Sequence, residues 1–222
     1  MPESLNLCNI VLHHALIASP STGTSRKADF KTELKSTYTC DLGDNIVRCM
    51  LLNIGFPSMV VIGSHLFRRS NEHFAMELMN IENIDDVRNG LLLFRPLEKA
   101  YDNFDISFIC IKDEFFMKVF NPDYRDKSLV DLLTRKEKQA ISVCIIDSLG
   151  TFGDLEGRIL DFGKTIIRPF KRCLNLQARL ARNEALKKKW VNQEYDFEDF
   201  WSEGMSAAEK IEFYLNPVEE PA

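Results

Sequence analysis

The chain has 222 residues, of which 45% are hydrophobic and 27% are charged, and its formal net charge is −5. This length and composition indicate a globular protein with one core or two small ones. No apolar run approaches the roughly 20 residues that a membrane-spanning helix needs. The N-terminus also lacks the basic, apolar and cleavage-site pattern of a secretory signal. We therefore expect an intracellular protein, cytoplasmic or nuclear, without a membrane segment.

Six cysteines are scattered along the chain, and no two of them form a Cys-x-x-Cys pair. Disulfide frameworks belong to small secreted domains, and structural zinc sites need clustered thiolates. The sequence therefore predicts reduced, mostly buried thiols. Cys40 and Cys49 flank the start of the candidate site, which leaves a zinc role for this pair open.

The first 45 residues carry no strong motif. The pattern indicates helical or mixed structure over residues 1–19, a helix near residues 29–39 and a turn at residues 41–45. His13 and His14 could reach a metal if this segment folds over the site, but a partly buried position on a helix is the more ordinary expectation.

The central region begins with two apolar segments that predict a β-hairpin. Residues 46–52 and 59–62 have strand composition, and residues 53–57 between them contain turn-forming residues. The second strand leads into His65. Residues 68–87 are predicted as a loop with a helical stretch, and residues 91–94 as a strand. Residues 96–103 are predicted as a helix with proline in its first turn, and residues 106–111 and 115–120 as a second hairpin.

The last region predicts mainly helix, over residues 129–145, 169–195 and 205–215. An apolar stripe along the longest of these helices would serve the core or a homodimer. Basic residues crowd into the same helix, which is typical either of a solvated polar face or of a surface that binds phosphates. The candidate nucleic-acid-binding residues of the chain are Arg68, Arg69, Arg168, Lys171, Arg172 and Arg179.

The residues between His65 and Asp102 contain the parts of a phosphodiester-cleaving site. Imidazole titrates close to neutral pH, so His65 can act as a general base. Glu98 and Asp102 are four residues apart, so on a helix both carboxylates project from one face and offer oxygen ligands suited to Mg²⁺ or Mn²⁺. Asn89 could fix the histidine in place. Each residue also fits a blander role, as an ordinary histidine, a turn or a solvated helix face.

The central region resembles a known family in three stretches, RCMLLN, VVIGSHLFRRS and DDVRNGLLLFRPLEKAYDNFDISFI. They are similar to the HNH endonucleases, whose fold is also called ββα-metal, and are closest to a branch common in fungi with HIIPRS-like and NGLLL-x4-H-x3-D-like motifs. The resemblance covers residues 46–125. The later EGRILDF and RPFKRCLNLQARLAR segments look similar to the helical tail of that branch.

The resemblance implies that His65 is the general base and that Asn89 mainly links the two arms of the hairpin. The family's last histidine, a metal ligand, is replaced here by Glu98. The residue before the base, a metal-binding Asp or His in many HNH enzymes, is Ser64. Glu98 still suits a hard cation, with Asp102 assisting, but the same replacements are compatible with a site that has lost its activity.

We therefore predict an α+β protein with an N-terminal segment (1–45), an HNH-like ββα-metal core with a flanking hairpin (46–125) and a helical C-terminal region (126–222). The first hypothesis is a metal-dependent nuclease acting on nucleic acid, DNA rather than RNA. The second is an inactive HNH-like domain that binds nucleic acid or protein. In the third, the motif match is incidental, and the structure would then lack a hairpin and helix around residues 58–103.

Overall fold

The computed structural model of the chain describes residues 28–201, together with residues 204 and 209. The predicted segment 1–19, with His13 and His14, lies outside these residues, and so does the predicted helix 205–215 apart from residue 209. Within the described residues the chain forms six α-helices and six short strands. In chain order they are α1 (Ala28–Thr37), β1 (Ile46–Arg48), β2 (Gly55–Pro57), β3 (Val61–His65), α2 (Ala75–Met79), β4 (Gly90–Phe94), α3 (Arg95–Asp102), β5 (Ile106–Ile111), β6 (Glu114–Val119), α4 (Arg135–Ala140), α5 (Val143–Ser148) and α6 (Lys171–Lys187).

The strands form three antiparallel pairs, β1 with β2, β3 with β4 and β5 with β6. The predicted hairpin between residues 46–52 and 59–62 is therefore wrong, because β1 pairs with the segment that was predicted as a turn. The chain reverses earlier than predicted because Asn53 adopts a φ of 57°, a left-handed conformation that asparagine tolerates well. The predicted second hairpin is confirmed as β5 and β6.

A strand pair followed directly by a helix lies at the centre of the fold. The register of β3 and β4 runs from Val61 opposite Phe94 to His65 opposite Gly90, and every residue in both strands is buried. Helix α3 starts immediately after β4, with proline in its first turn as predicted, and packs against both strands. The chain therefore has the hairpin and helix whose absence would have favoured an incidental motif match.

Helix α1 packs directly on the β3–β4 pair because two glycines face it. A Cβ atom placed on Gly90 would lie 2.6 Å from the ring of Phe30 and 2.9 Å from a methyl of Leu34. A Cβ atom on Gly63 would lie 3.2 Å from Leu34. The absence of side chains at these two positions thus brings α1 close to the end of the pair that carries His65.

The C-terminal region is less continuous than the predicted helices. Ile141 and Ser142 have extended conformations and divide the predicted helix 129–145 into shorter elements. Helix α6 ends at Lys187 and packs on β5. Its apolar stripe, including Leu174 and Leu180, is buried within the same chain. The face that was offered for a homodimer is therefore covered by the protein's own core.

One cluster of buried hydrophobic residues extends from Phe30 in α1 to Ala185 in α6. No helix in the described part of the chain combines the length and the apolar character needed to cross a bilayer. The cysteines within residues 28–201 are free thiols. Burial raises the pKa of Cys40 to about 11 and also raises the pKa of Cys49, so both are neutral thiols.

Candidate functional site

His65 is the last residue of β3 and is only 7% exposed. Its imidazole stacks on the ring of Phe30 from α1, with 3.9 Å between the ring centroids and 10° between the planes. The Nε2 atom lies 3.0 Å from Oδ1 of Asp85. The ring is thus held on one face by an aromatic residue and along its edge by a carboxylate.

Asp85 is the functional candidate that the sequence did not single out. Its Oδ1 accepts from Nη1 of Arg69 as well as contacting His65, so one carboxylate oxygen joins a guanidinium and an imidazole. Burial works against the charged form of Asp85, but hydrogen bonds from Arg69 and His65 outweigh burial and lower the pKa of this carboxyl. The bond with Asp85 also raises the pKa of Arg69, which remains a cation.

The loop that carries Asp85 is fixed by local hydrogen bonds. The backbone N–H of Asp85 donates to Oδ1 of Asn83 at 3.0 Å, and Asp86 caps the following 3₁₀-helix by accepting from the N–H of Arg88. The only available sequence signal was the Asp85-Asp86 pair just before the Asn-Gly dipeptide. Nothing in that spacing identifies which acid faces His65.

Asn89 is completely buried and bonds to the backbone on both sides of the site. Its Oδ1 accepts from the N–H of Phe67 at 2.8 Å, and its Nδ2 donates to the carbonyls of Phe67 and Ile84. These bonds join the segment after His65 to the segment before Asp85. Asn89 therefore fixes the two loops that carry the base and its carboxylate, rather than the imidazole itself.

Helix α3 returns toward the His65 end of the strand pair. Helix α3 is about 12 Å long at 1.5 Å per residue, and β4 is about 13 Å long. The helix is therefore about as long as the strand beside which it returns. Its last residue, Asp102, accepts through its carbonyl oxygen from the guanidinium of Arg68, three residues after His65. Arg68 also lies over the ring of Phe104. The C-terminal turn of α3 is thus tied to the chain that leaves His65.

Glu98 and Asp102 lie one turn apart on α3; Glu98 is buried and Asp102 is half-buried. Their carboxylates are hard oxygen donors of the kind that Mg²⁺ and Mn²⁺ prefer, so the chemistry of this pair fits such an ion. Among the described residues, no group of three or more His, Cys, Asp or Glu side chains is arranged to hold a metal.

The predicted nucleic-acid-binding cations are mostly paired within the protein. Arg172 is buried and donates to the carbonyls of Met79 and Asn80, while Lys171 pairs with Asp113. Arg179 pairs with Asp196 at 2.6 Å and with Asp199 at 2.7 Å. The acidic segment 194–199 therefore folds back on α6 and neutralises part of its basic run.

Arg168 is exposed and lies near the loop that carries Asp85. The backbone N–H of Phe170 donates to the carbonyl of Arg88 at 2.8 Å, which joins the segment before α6 to this loop. The Arg168 guanidinium contacts the carbonyls of Thr165 and Ile167, so its position is defined by its own turn. Arg168 is thus an exposed cation beside the loop of the candidate site, where the exposed Arg88 pairs with Asp86.

Comparison with known proteins gives one match. No curated protein and no solved structure matches the chain. A family model described as HNH endonuclease matches residues 49–109, a segment that begins after β1, ends within β5 and contains His65, Asp85, Asn89, Glu98 and Asp102. The match supports the HNH endonuclease superfamily as the relative of this segment, which is the segment that forms the strand pair, the helix and the candidate site.

Proposed function

We propose that residues 46–125 form the ββα-metal core of an HNH-type nuclease, of the fungal-type branch, that hydrolyses phosphodiester bonds in nucleic acid. The observation that carries this proposal is the hydrogen bond between His65 and Asp85 at the end of a strand pair that leads directly into α3. A base held by a carboxylate beside a helix that bears two acids has the parts that hydrolysis needs.

In this proposal His65 is the general base. Its imidazole takes a proton from water, the water oxygen forms a bond to phosphorus, and the bond from phosphorus to the departing oxygen breaks. The departing oxygen takes a proton from solvent. With Nε2 bonded to Asp85, Nδ1 is the ring nitrogen that receives the proton from water.

Glu98 and Asp102 would hold Mg²⁺ or Mn²⁺. When bound, the divalent ion supplies positive charge that stabilises the phosphorane and the departing oxygen. The contact of Arg68 with the carbonyl of Asp102 fixes the turn that carries both carboxylates. Asn89 holds the loops of His65 and Asp85 together, so the base keeps a fixed position relative to this turn.

Nucleic acid would approach over the loop that carries Asp85. Arg168 is exposed there and can contact phosphates, which gives salt-sensitive binding with little sequence preference. The other predicted cations contribute less, because Lys171 and Arg179 already pair with acids and Arg172 is buried. We propose DNA as the substrate.

A second candidate function, a non-catalytic HNH-like binding module, is favoured by the burial of His65. His65 is 7% exposed and its imidazole is covered on one face by Phe30, and Glu98 stands where the family has a histidine. In such a module the His65–Asp85 bond would only stabilise the loops. Activity assays separate the two candidates.

The test is cleavage of supercoiled plasmid DNA with Mg²⁺ or Mn²⁺ and with EDTA, comparing the wild type with His65→Ala and His73→Ala. His73 is exposed and lies outside the strand pair, so its variant controls for loss of a histidine. We expect metal-dependent nicking that falls about 100- to 10,000-fold in His65→Ala, the usual contribution of a general base. His73→Ala should cleave like the wild type.

Nicking that survives His65→Ala would reject His65 as the base. A wild-type protein that binds DNA but does not cleave it with either metal would reject the nuclease and support the binding module.

A further inference from the structure

The carboxylate of Asp85 is shared between two partners through one oxygen. Oδ1 lies 3.0 Å from Nε2 of His65 and also accepts from Nη1 of Arg69. All three side chains are largely buried, so their charges interact more strongly than they would in water. The chain Arg69–Asp85–His65 therefore acts as one electrostatic unit.

We propose that Asp85 and Arg69 are positioning residues for His65 with opposite effects on its protonation. Asp85 orients the ring and keeps the proton of the neutral imidazole on Nε2. Arg69 offsets the negative charge of Asp85, so the ring remains neutral and able to accept a proton at the pH of the reaction. The catalytic meaning of this assignment rests on the proposed function, but the arrangement itself does not.

A carboxylate alone would make a poor partner for a base in this position. A negative charge within hydrogen-bond distance favours the imidazolium and would keep the ring protonated at neutral pH. A fixed cation on the same oxygen opposes that effect while leaving the hydrogen bond in place. Arg69 suits this role because arginine stays charged in proteins and its planar guanidinium holds a defined geometry.

The other elements around the ring add little charge of their own. Helix α1 presents the apolar ring of Phe30, and its Lys31 bonds to Ser58. Strand β4 presents Gly90. Glu72 is close enough to Arg69 to favour its charged form, and Asp86 is paired with Arg88. Among the residues that the structure describes, Asp85 and Arg69 are therefore the charged side chains that form one hydrogen-bonded chain with His65.

This assignment gives Arg69 a different role from the one its sequence context indicated. The basic pair Arg68-Arg69 was expected to bind phosphates. In the structure Arg69 pairs with Asp85, and Arg68 donates to the carbonyl of Asp102 at the end of α3. Both arginines therefore bond within the site.

The experiment is an NMR titration of the four histidines in the full chain, with the His65 signals assigned by their loss in His65→Gln. Nitrogen shifts of the ring report which nitrogen carries the proton, and the titration reports the midpoint. The variants are Asp85→Asn, Arg69→Gln and Arg69→Lys. The neighbouring ion pair of Asp86 and Arg88 supplies the matched controls, Asp86→Asn and Arg88→Gln.

We expect the wild-type neutral ring to carry its proton on Nε2. The midpoint of His65 should fall in Asp85→Asn, because the imidazolium loses its anion. It should rise in Arg69→Gln, because the opposing cation is gone, and return toward the wild-type midpoint in Arg69→Lys. Both controls should leave it unchanged. If Asp85→Asn does not fold, the opposite response to Arg69→Gln and its rescue by Arg69→Lys still test the proposal.

A midpoint that is the same in Arg69→Gln as in the wild type, or that moves downward, would overturn the proposal. So would a neutral ring with its proton on Nδ1. If the midpoints move as expected while the wild type cleaves no nucleic acid, the positioning chain stands and the nuclease fails. If the wild type cleaves but the midpoints do not move, the nuclease stands and the positioning chain fails.

Discussion

The charged residues around His65 and those along α6 are both paired with opposite charges, but they differ in burial. The side chains of His65, Asp85 and Arg69 are 5%, 11% and 17% exposed. On α6, Arg179 pairs with Asp196 and Asp199, which are 60% and 62% exposed. Buried charges fix geometry and shift protonation, whereas exposed pairs are screened by water and salt. Under the proposed function, the first region would supply the chemistry and the second would at most adjust binding.

After the loss of His65, the largest effect on cleavage should come from the carboxylates on α3. If Glu98 holds the ion as proposed, replacing it by Gln removes a negative ligand, and the Mn²⁺ concentration needed for half-maximal cleavage should rise by at least about 10-fold, the effect known for outer partners of metal sites. The measurement is a metal titration of plasmid nicking. Glu82→Gln, an exposed acid in the loop before Asp85, is the charge-matched control. An equal metal requirement in Glu98→Gln and the wild type would remove Glu98 from the site.

The packing of α1 on the His65 region should be the next most sensitive feature. Gly90→Ala would place a methyl 2.6 Å from the Phe30 ring, so α1 must shift, at a cost of about 1 to 3 kcal/mol of unfolding free energy. Urea denaturation measures this cost. Gly63→Ala is the graded control, because its methyl would meet Leu34 at 3.2 Å and should cost less. An equal or smaller loss in Gly90→Ala would show that α1 does not sit as tightly as described.

Replacing the buried Arg172 of α6 should lower the unfolding free energy more than replacing Arg179, whose ion pairs are exposed. Arg172 is buried and donates to two backbone carbonyls, so Arg172→Met should cost about 1.5 to 3 kcal/mol in unfolding free energy. Arg179→Met breaks partly exposed pairs and should cost less than about 1 kcal/mol, shrinking further at high salt. Denaturation at low and high salt separates them. A large, salt-independent loss in Arg179→Met would contradict the contrast.

Asp85 should also make stability depend on pH. Because its pKa is lowered in the folded protein, its contribution to stability is present above the unfolded value of about 3.9 and is lost as the pH falls through the lower folded value. The difference in unfolding free energy between the wild type and Asp85→Asn should therefore narrow below about pH 4, under the range in which the shifted midpoint of His65 also changes it. Asp86→Asn provides the neighbouring comparison. A difference that widens below about pH 4 would mean that the pKa of Asp85 is raised.

The sequence predicted the elements around the site well and their pairing less well. Strand β4, helix α3 and the β5–β6 hairpin follow from local signals, namely an apolar run, a proline in a first turn and a short polar link. The pairing of β1 with β2 depended on the left-handed conformation of Asn53, which composition does not reveal. The sequence could indicate that the backbone at Gly90 allows a close approach. It could not indicate that the approaching group is Phe30, because that helix is distant in the sequence.

In the candidate site, too, the sequence identified single residues but not the contacts between distant segments. His65, Asn89 and Glu98 could be selected because motifs mark them, whereas Asp85 lies in a loop whose path is set by Asn83 and Asn89. The direction of Arg69 toward Asp85 likewise depends on the tertiary structure, which brings Arg69 and His65 onto one oxygen of Asp85. Charge counting along α6 also overstated its basic surface, because the neutralising acids come later in the chain.

The most direct test of the central claim, that the His65 region performs the chemistry and α6 only assists binding, is single-turnover cleavage of a short DNA duplex under increasing protein concentration. His65→Gln should remain slow at saturation. A variant with Lys171 and Arg179 replaced by Ala should reach the wild-type rate at saturation and require only more protein to do so. A His65→Gln protein that reaches the wild-type rate, with the α6 variant failing to reach it, would contradict the account.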